Sequence, residues 1–167
     1  MKKVKVTQDV LYRYILEHNV NISGLAREMD ANASFVIACF KHNPDRLGKP
    51  RRFTSATLPR LNEALGTFAL KMRRSTITFG SEQTYTNRFK NTYDPGTMPA
   101  IKQLAQYFNI TSFIVRVLGW TRNKKNAIFS NPSSITYGNI SQDDVNRINA
   151  ELLAVAGVLS SYEVVSC

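Results

Sequence analysis

Apolar residues recur at steps of three and four along most of the chain, the spacing that lines one face of an α-helix. The clearest run is Leu58, Leu61, Leu65, Phe68 and Met72, and its phase returns 87 residues later, where Phe53 to Thr78 aligns without gaps on Ile140 to Val165. Identities fall at Arg60/Arg147, Asn62/Asn149, Leu65/Leu152 and Ala69/Ala156. The apolar pairs Leu58/Val145, Leu61/Ile148, Phe68/Val155, Met72/Leu159 and Ile77/Val164 keep one helical phase between them. Upstream, Asn19-Val20 matches Asn109-Ile110, Leu25-Ala26-Arg27 matches Ile114-Val115-Arg116, and Ala38-x-Phe40 matches Ala127-x-Phe129. The offset drifts in loops, where insertions cost little. Such a chain reads as two related helical units.

The pattern predicts four helices in the first unit, over about 8–18, 22–29, 32–42 and 54–73, and four in the second, near 98–109, 112–118, 122–130 and 142–160. Thr54 and Ser141 stand where side-chain oxygens cap the last helix of each unit, and Asp144 suits the positive end of its dipole. The β-branched runs 75–79 and 162–165 read as a short strand ending each unit, paired with each other or with counterparts in a second subunit. Residues 81–91 read as a further short helix, followed by a turn at Tyr93-Asp94-Pro95-Gly96. The expected organisation is all-α: unit 1–80, a connecting helix and turn over 81–97, and unit 98–167.

Composition narrows the function. About 43% of residues are apolar and 20% charged, which suits a packed globular core. No apolar run approaches a membrane span, and the basic start leads into Thr7-Gln8-Asp9, unlike a signal core, so a cytoplasmic protein is expected. Cys39 and Cys167 have neither metal-ligand spacing nor a disulfide framework, which fits a reducing compartment. The net charge is +10, unevenly spread: residues 1–80 hold fourteen Lys and Arg against six Asp and Glu, and residues 81–167 hold eight against six. A basic half joined to a near-neutral half points to a polyanion partner. No phosphate loop, zinc motif or nucleophile elbow is present. His18 and His42 read as cap or phosphate contacts, Asp143-Asp144 as a helix start, and Cys39 as a small core residue. No enzyme, metal, cofactor or small-molecule substrate is expected.

Residues 22–40 meet the demands of a helix-turn-helix. Ala26 is small where helices must cross, Leu25, Met29, Val36 and Cys39 lock them together, and Asp30 tolerates the left-handed backbone of a turn. Asn32 caps the following helix and leaves its first turn free for a major groove. The loop 42–52 supplies Arg46, Lys49, Arg51 and Arg52 as phosphate clamps. In the second unit Gly119 occupies the turn, Trp120 reads as a core anchor, and Arg122, Lys124 and Lys125 form a phosphate or base-edge set. Lys125 falls where the first unit has Val36, which predicts a rotated or shortened helix.

Leu25-Ala26-x-x-Met29 and Ser34-x-Val36-x-Ala38-x-Phe40 resemble the lambda-repressor-like, or Cro-type, helix-turn-helix family over residues 8–66, and more faintly over 98–156. The resemblance implies two tandem lambda-repressor-like bundles, with Asn32, Ala33 and Ser34 facing bases and Ser23, Lys41 and His42 near the DNA backbone. It departs from the family in having Asp30 for the usual turn Gly, a longer following loop, and no Gln or Arg in the reading helix for bidentate base contacts. The expected function is sequence-directed binding of double-stranded DNA, as a transcriptional regulator of mobile-element or phage type, alone or as a homodimer. Two alternatives stand beside it: a protein-interaction or dimerisation module that keeps the fold without reading DNA, and a single-strand or architectural binder stacking bases on residues such as Tyr85 and Phe89.

Overall fold

The computed structural model describes residues 2–79, 84–87, 90–92, 97–130 and 140–166, with strands but no side chains for 84–87 and 90–92. The order is β1 (Val4–Val6), α1 (Gln8–Glu17), α2 (Ile22–Glu28), α3 (Ala33–Phe40), α4 (Leu58–Arg73), β2 (Thr84–Asn87), β3 (Lys90–Thr92), α5 (Thr97–Gln103), a 3-10 turn (Leu104–Gln106), α6 (Ile110–Leu118), α7 (Arg122–Ser130), α8 (Gln142–Ser161) and β4 (Tyr162–Val164). The chain is mostly helical, as the periodicity predicts. Among the described residues no helix is long and apolar enough to cross a membrane.

The long helices α4 and α8 pack against each other at the centre; α2 lies on α3 and α4, and α6 on α7 and α8. The apolar pairs found in the sequence supply the seam: Leu61, Leu65, Phe68 and Met72 are buried, as are Ile148, Leu152, Val155 and Leu159. One continuous apolar cluster runs through both halves. Ser141 caps α8 by accepting from Asp144 N–H at 3.1 Å, and the Asp144 carboxylate accepts from Ser141 N–H at 3.0 Å, closing a capping box.

Four expectations need correction. Thr54 does not cap α4, which starts later: Thr54 and Thr57 form a separate turn, with Thr57 Oγ1 accepting Thr54 N–H at 2.7 Å. Pro59 suits this start, because in the first turn of a helix its missing N–H costs no intrahelical bond and its fixed φ is already helical. Residues 75–79 form no strand; no strand among the described residues runs beside them, and an extended segment without a ladder neighbour is not a strand. The strand 162–164 pairs instead with β1, in parallel, with Val4 opposite Tyr162 and Val6 opposite Val164. The connector is not helical where it is described: β2 and β3 pair antiparallel. Its proposed turn at Tyr93-Asp94-Pro95-Gly96, Phe89, and the side chain of Tyr85 lie outside the described residues.

Two asparagines hold the segments that follow the long helices. Asn62 on α4 brackets the backbone of Val164, its amide donating to the carbonyl at 3.0 Å and its oxygen accepting the N–H at 2.7 Å. Asn149 on α8 does the same to Ile77, at 2.8 Å and 2.7 Å. Each side chain thus satisfies both main-chain polar groups of a residue that no helix continues to serve. A second seam joins the halves at Val20 and Phe108: Asn21 N–H donates to Tyr107 O at 2.8 Å, and Asn109 N–H donates to Asn19 O at 2.7 Å. Gly24 lies here because the backbones approach closely; a Cβ at this position would stand 2.1 Å from Gln106 O.

Candidate nucleic-acid interface

The turn between α2 and α3 is built from local signals and clamped from outside. Asn21 caps α2 through Ser23 N–H (3.1 Å), and Asn32 caps α3 through Ser34 N–H (2.8 Å). Asp30 between them takes a φ of 52°, the left-handed conformation its short side chain tolerates. Arg60, from α4, donates its guanidinium to the Met29 and Asp30 carbonyls, so the long helix fastens the turn. Leu25, Ala26, Met29, Val36 and Cys39 are all buried in the contact between the short helices and the core. Burial raises the pKa of the Cys39 thiol, against the opposing pull of Arg51. Asn32 and Ser34 are exposed, with Ala33 half-buried between them. Asn32 is engaged as the cap through its Oδ1.

After α3 the chain folds back as a finger. His42 turns with a φ of 55°, Pro44 bridges Pro50, Asp45 N–H donates to Lys49 O at 2.8 Å, and Arg51 N–H donates to Asn43 O at 3.0 Å. The Asp45 carboxylate accepts the N–H groups of Leu47 (2.8 Å) and Lys49 (3.0 Å), and Gly48 makes the tip with a φ of 78°. Arg46, Lys49 and Arg52 are exposed and Arg51 half-buried. Of the finger's charges, the single carboxylate is engaged with backbone N–H groups and Arg51 turns its Nε towards Pro44 O, while Arg46, Lys49 and Arg52 face out.

The finger's base is anchored to α1. Gln8, only 3% exposed, donates to Cys39 O at 2.7 Å and accepts from Phe53 N–H at 3.0 Å, tying both ends of the loop to one side chain. Phe53 packs edge-on against Phe40 at 4.9 Å. His42 lies within 2.8 Å of the Asp9 carboxylate through Nε2 and 3.1 Å of Arg51 O through Nδ1, so both ring nitrogens are engaged within the chain. Gln8 was not among the sequence candidates. Its signal was there: Gln8, Leu11 and Ile15 share one helical face, so a polar residue heads an apolar stripe.

The candidates fall into three places. Phe35 of α3 lines one open cleft of about 460 Å³ with Lys49, Arg51 and Arg52, so the proposed reading helix and the cationic finger do adjoin. Lys41 is exposed at the end of α3. Ser23 borders a different cleft, with Ile37 and Asn109, beside the seam between the halves. Arg122, Lys124 and Lys125 lie on α7. There Thr121 caps the helix through Lys124 N–H (3.1 Å), Gly119 takes a φ of 68°, and Trp120 is buried. Lys124 lies 4.7 Å over the Trp120 ring and Lys125 4.6 Å over that of Phe129, whereas Arg122 is exposed. The helix is not shortened: it spans Arg122–Ser130, and the lysine that replaces a buried valine sets its ammonium over an aromatic ring. Among the described residues no group of three His, Cys, Asp or Glu side chains is placed to hold a metal.

No protein-family model, no curated protein and no solved structure matches this chain.

Proposed function

We propose that the protein binds double-stranded DNA in a sequence-directed way, as a transcriptional regulator of mobile-element or phage type, through a helix-turn-helix formed by α2 and α3. The observation that carries this reading is the pairing of an exposed first turn of α3 with a cationic finger anchored beside it. Small polar residues there can approach base edges, while Arg46, Lys49, Arg51 and Arg52 neutralise phosphates and set the register. The phosphate contacts supply most of the affinity and make it depend on salt.

We further read the chain as two divergent tandem bundles of the lambda-repressor-like kind. The reciprocal asparagine bonds support this: Asn62 and Asn149 occupy equivalent positions of the 87-residue repeat, and so do their targets Ile77 and Val164. Each unit therefore holds the trailing segment of the other. The second unit presents Arg122 on α7 where the first presents Ala33.

The test is binding to a fluorescent random duplex at two salt concentrations. Affinity is expected to fall steeply with salt, and Arg51→Ala with Arg52→Ala to weaken binding and flatten the log–log slope by about 1–2. Absence of binding at low salt would sink the proposal. It would favour the alternative of a protein-interaction module, for which the 38% exposed Phe35 at the rim of the cleft is the supporting observation. Preference for single strands would favour the stacking alternative.

A further inference from the structure

The finger's tip carries a feature that phosphate clamping does not use. Leu47 is 81% exposed, far more than any other large apolar side chain among the described residues. Isolated surface leucines are ordinary. This one differs in how it is held. Its own N–H is bonded to the Asp45 carboxylate, the Pro44–Pro50 bridge closes the finger below it, and Gln8 and His42 fix the base to α1. It is an apolar side chain on a hydrogen-bonded stalk, with Arg46 before it and Lys49 two residues after.

We propose that Leu47 is a wedge that enters the minor groove of duplex DNA and partly unstacks one base step. The inference rests on the DNA-binding reading above. The finger follows directly on α3 and adjoins its first turn at Phe35, so docking α3 in the major groove would bring the finger to the flanking phosphate backbone. About three residues per side give a reach of roughly 10 Å, enough to cross one phosphate backbone. The minor groove is only about 6 Å wide, too narrow for a two-chain finger but open to a single side chain. Arg46 and Lys49 flank the tip and meet the phosphates on either side, and the negative potential of the groove complements them. Apolar wedges of this kind kink the duplex by roughly 20–90° and favour deformable pyrimidine–purine steps.

The experiment uses the full chain and end-labelled 30-base-pair duplexes (length about three helical turns) that carry either central TA steps or an A-tract. Energy transfer between the duplex ends reads the bend, and anisotropy reads affinity. The wild type is expected to raise the transfer and to prefer the TA duplex several-fold. Leu47→Ala is expected to abolish the rise and the TA preference while keeping the wild-type salt slope, and Leu47→Met to restore both. Binding by the wild type without bending, or bending that survives in Leu47→Ala, overturns the wedge and leaves the DNA reading intact. Failure of the wild type to bind either duplex overturns that reading as well. Anionic phosphatidylserine vesicles form the last arm: sedimentation with them that Leu47→Ala abolishes, with duplex bending unchanged, would make the finger a membrane-surface device and overturn the proposal.

Discussion

Tyr14 shows how a single side chain in this fold responds to its neighbours. Its ring stacks on His18 at 3.9 Å and meets Tyr162 edge-on at 5.9 Å, which places the phenol in the angle between α1 and β4. Burial, then the charges of Glu151 and Tyr162, push its pKa from 10.0 up to about 12, with Arg116 opposing. The folded chain thus holds the phenolic proton more tightly than the unfolded chain does. Stability from this source is complete below the ordinary value and is lost as the pH rises from about 10 towards about 12. Urea midpoints measured across that window are expected to fall, and Tyr14→Phe to fall less. An identical decline in both proteins would mean that another group carries the alkaline loss. Arg116 has a second role at the same place: it pairs with Glu151 at 2.9 Å and donates to Asn19 Oδ1 at 2.8 Å, linking α6 to the loop between α1 and α2.

Among the elements, the long helices act through what they hold as well as what they bury. Asn62 and Asn149 each satisfy a donor and an acceptor on an extended segment, so truncation leaves two half-buried backbone groups without partners. Asn149→Ala and Asn62→Ala are each expected to cost about 1–3 kcal/mol, read from chemical denaturation. The exposed control Asn146→Ala should change little. Equal effects at all three positions would remove the anchoring role. Arg60 and Arg147 are a lesson in the opposite direction. They are identical in the repeat, yet Arg60 fastens the α2–α3 turn, while Arg147 pairs with Asp143 at the surface at 3.0 Å. Helix positions were legible because three-to-four spacing and caps are local signals: α7 falls where it was expected, and the start of α8 was visible in Ser141 and Asp144. The start of α4 was obscured because a threonine pair imitates a cap one turn ahead of Pro59. The connector at 84–92 was misread because a short polar stretch holds no periodicity strong enough to separate strand from helix.

For the molecule as a whole, the two halves share one core, and the strand at the start of the chain runs alongside the strand near its end. If each half is a reading unit, one chain already brings together what a homodimer would supply from two. Analytical ultracentrifugation with labelled duplex is then expected to give one chain per site, with protection spanning two unlike half-sites. Arg122→Ala should weaken protection on one side only. Two chains per site, or symmetric loss, would contradict this arrangement. The cationic finger and α3 belong together at this scale too: they adjoin because Gln8, at the start of α1, gathers Cys39 and Phe53 to one point.

Most of the helices, the 87-residue offset in apolar phase, the turn at Asp30 and the basic bias of the first half are legible in the chain alone, because periodicity, capping and charge are carried by neighbouring residues. Packing in three dimensions adds that β1 pairs with β4, that Gly24 is required by the approach of Gln106, that Asn62 and Asn149 grip the far segments, and that the loop after α3, tied at both ends to Gln8, stands up as a finger tipped by Leu47. Those features join residues distant along the chain, and their energies come from satisfying backbone groups across space, which no local pattern records.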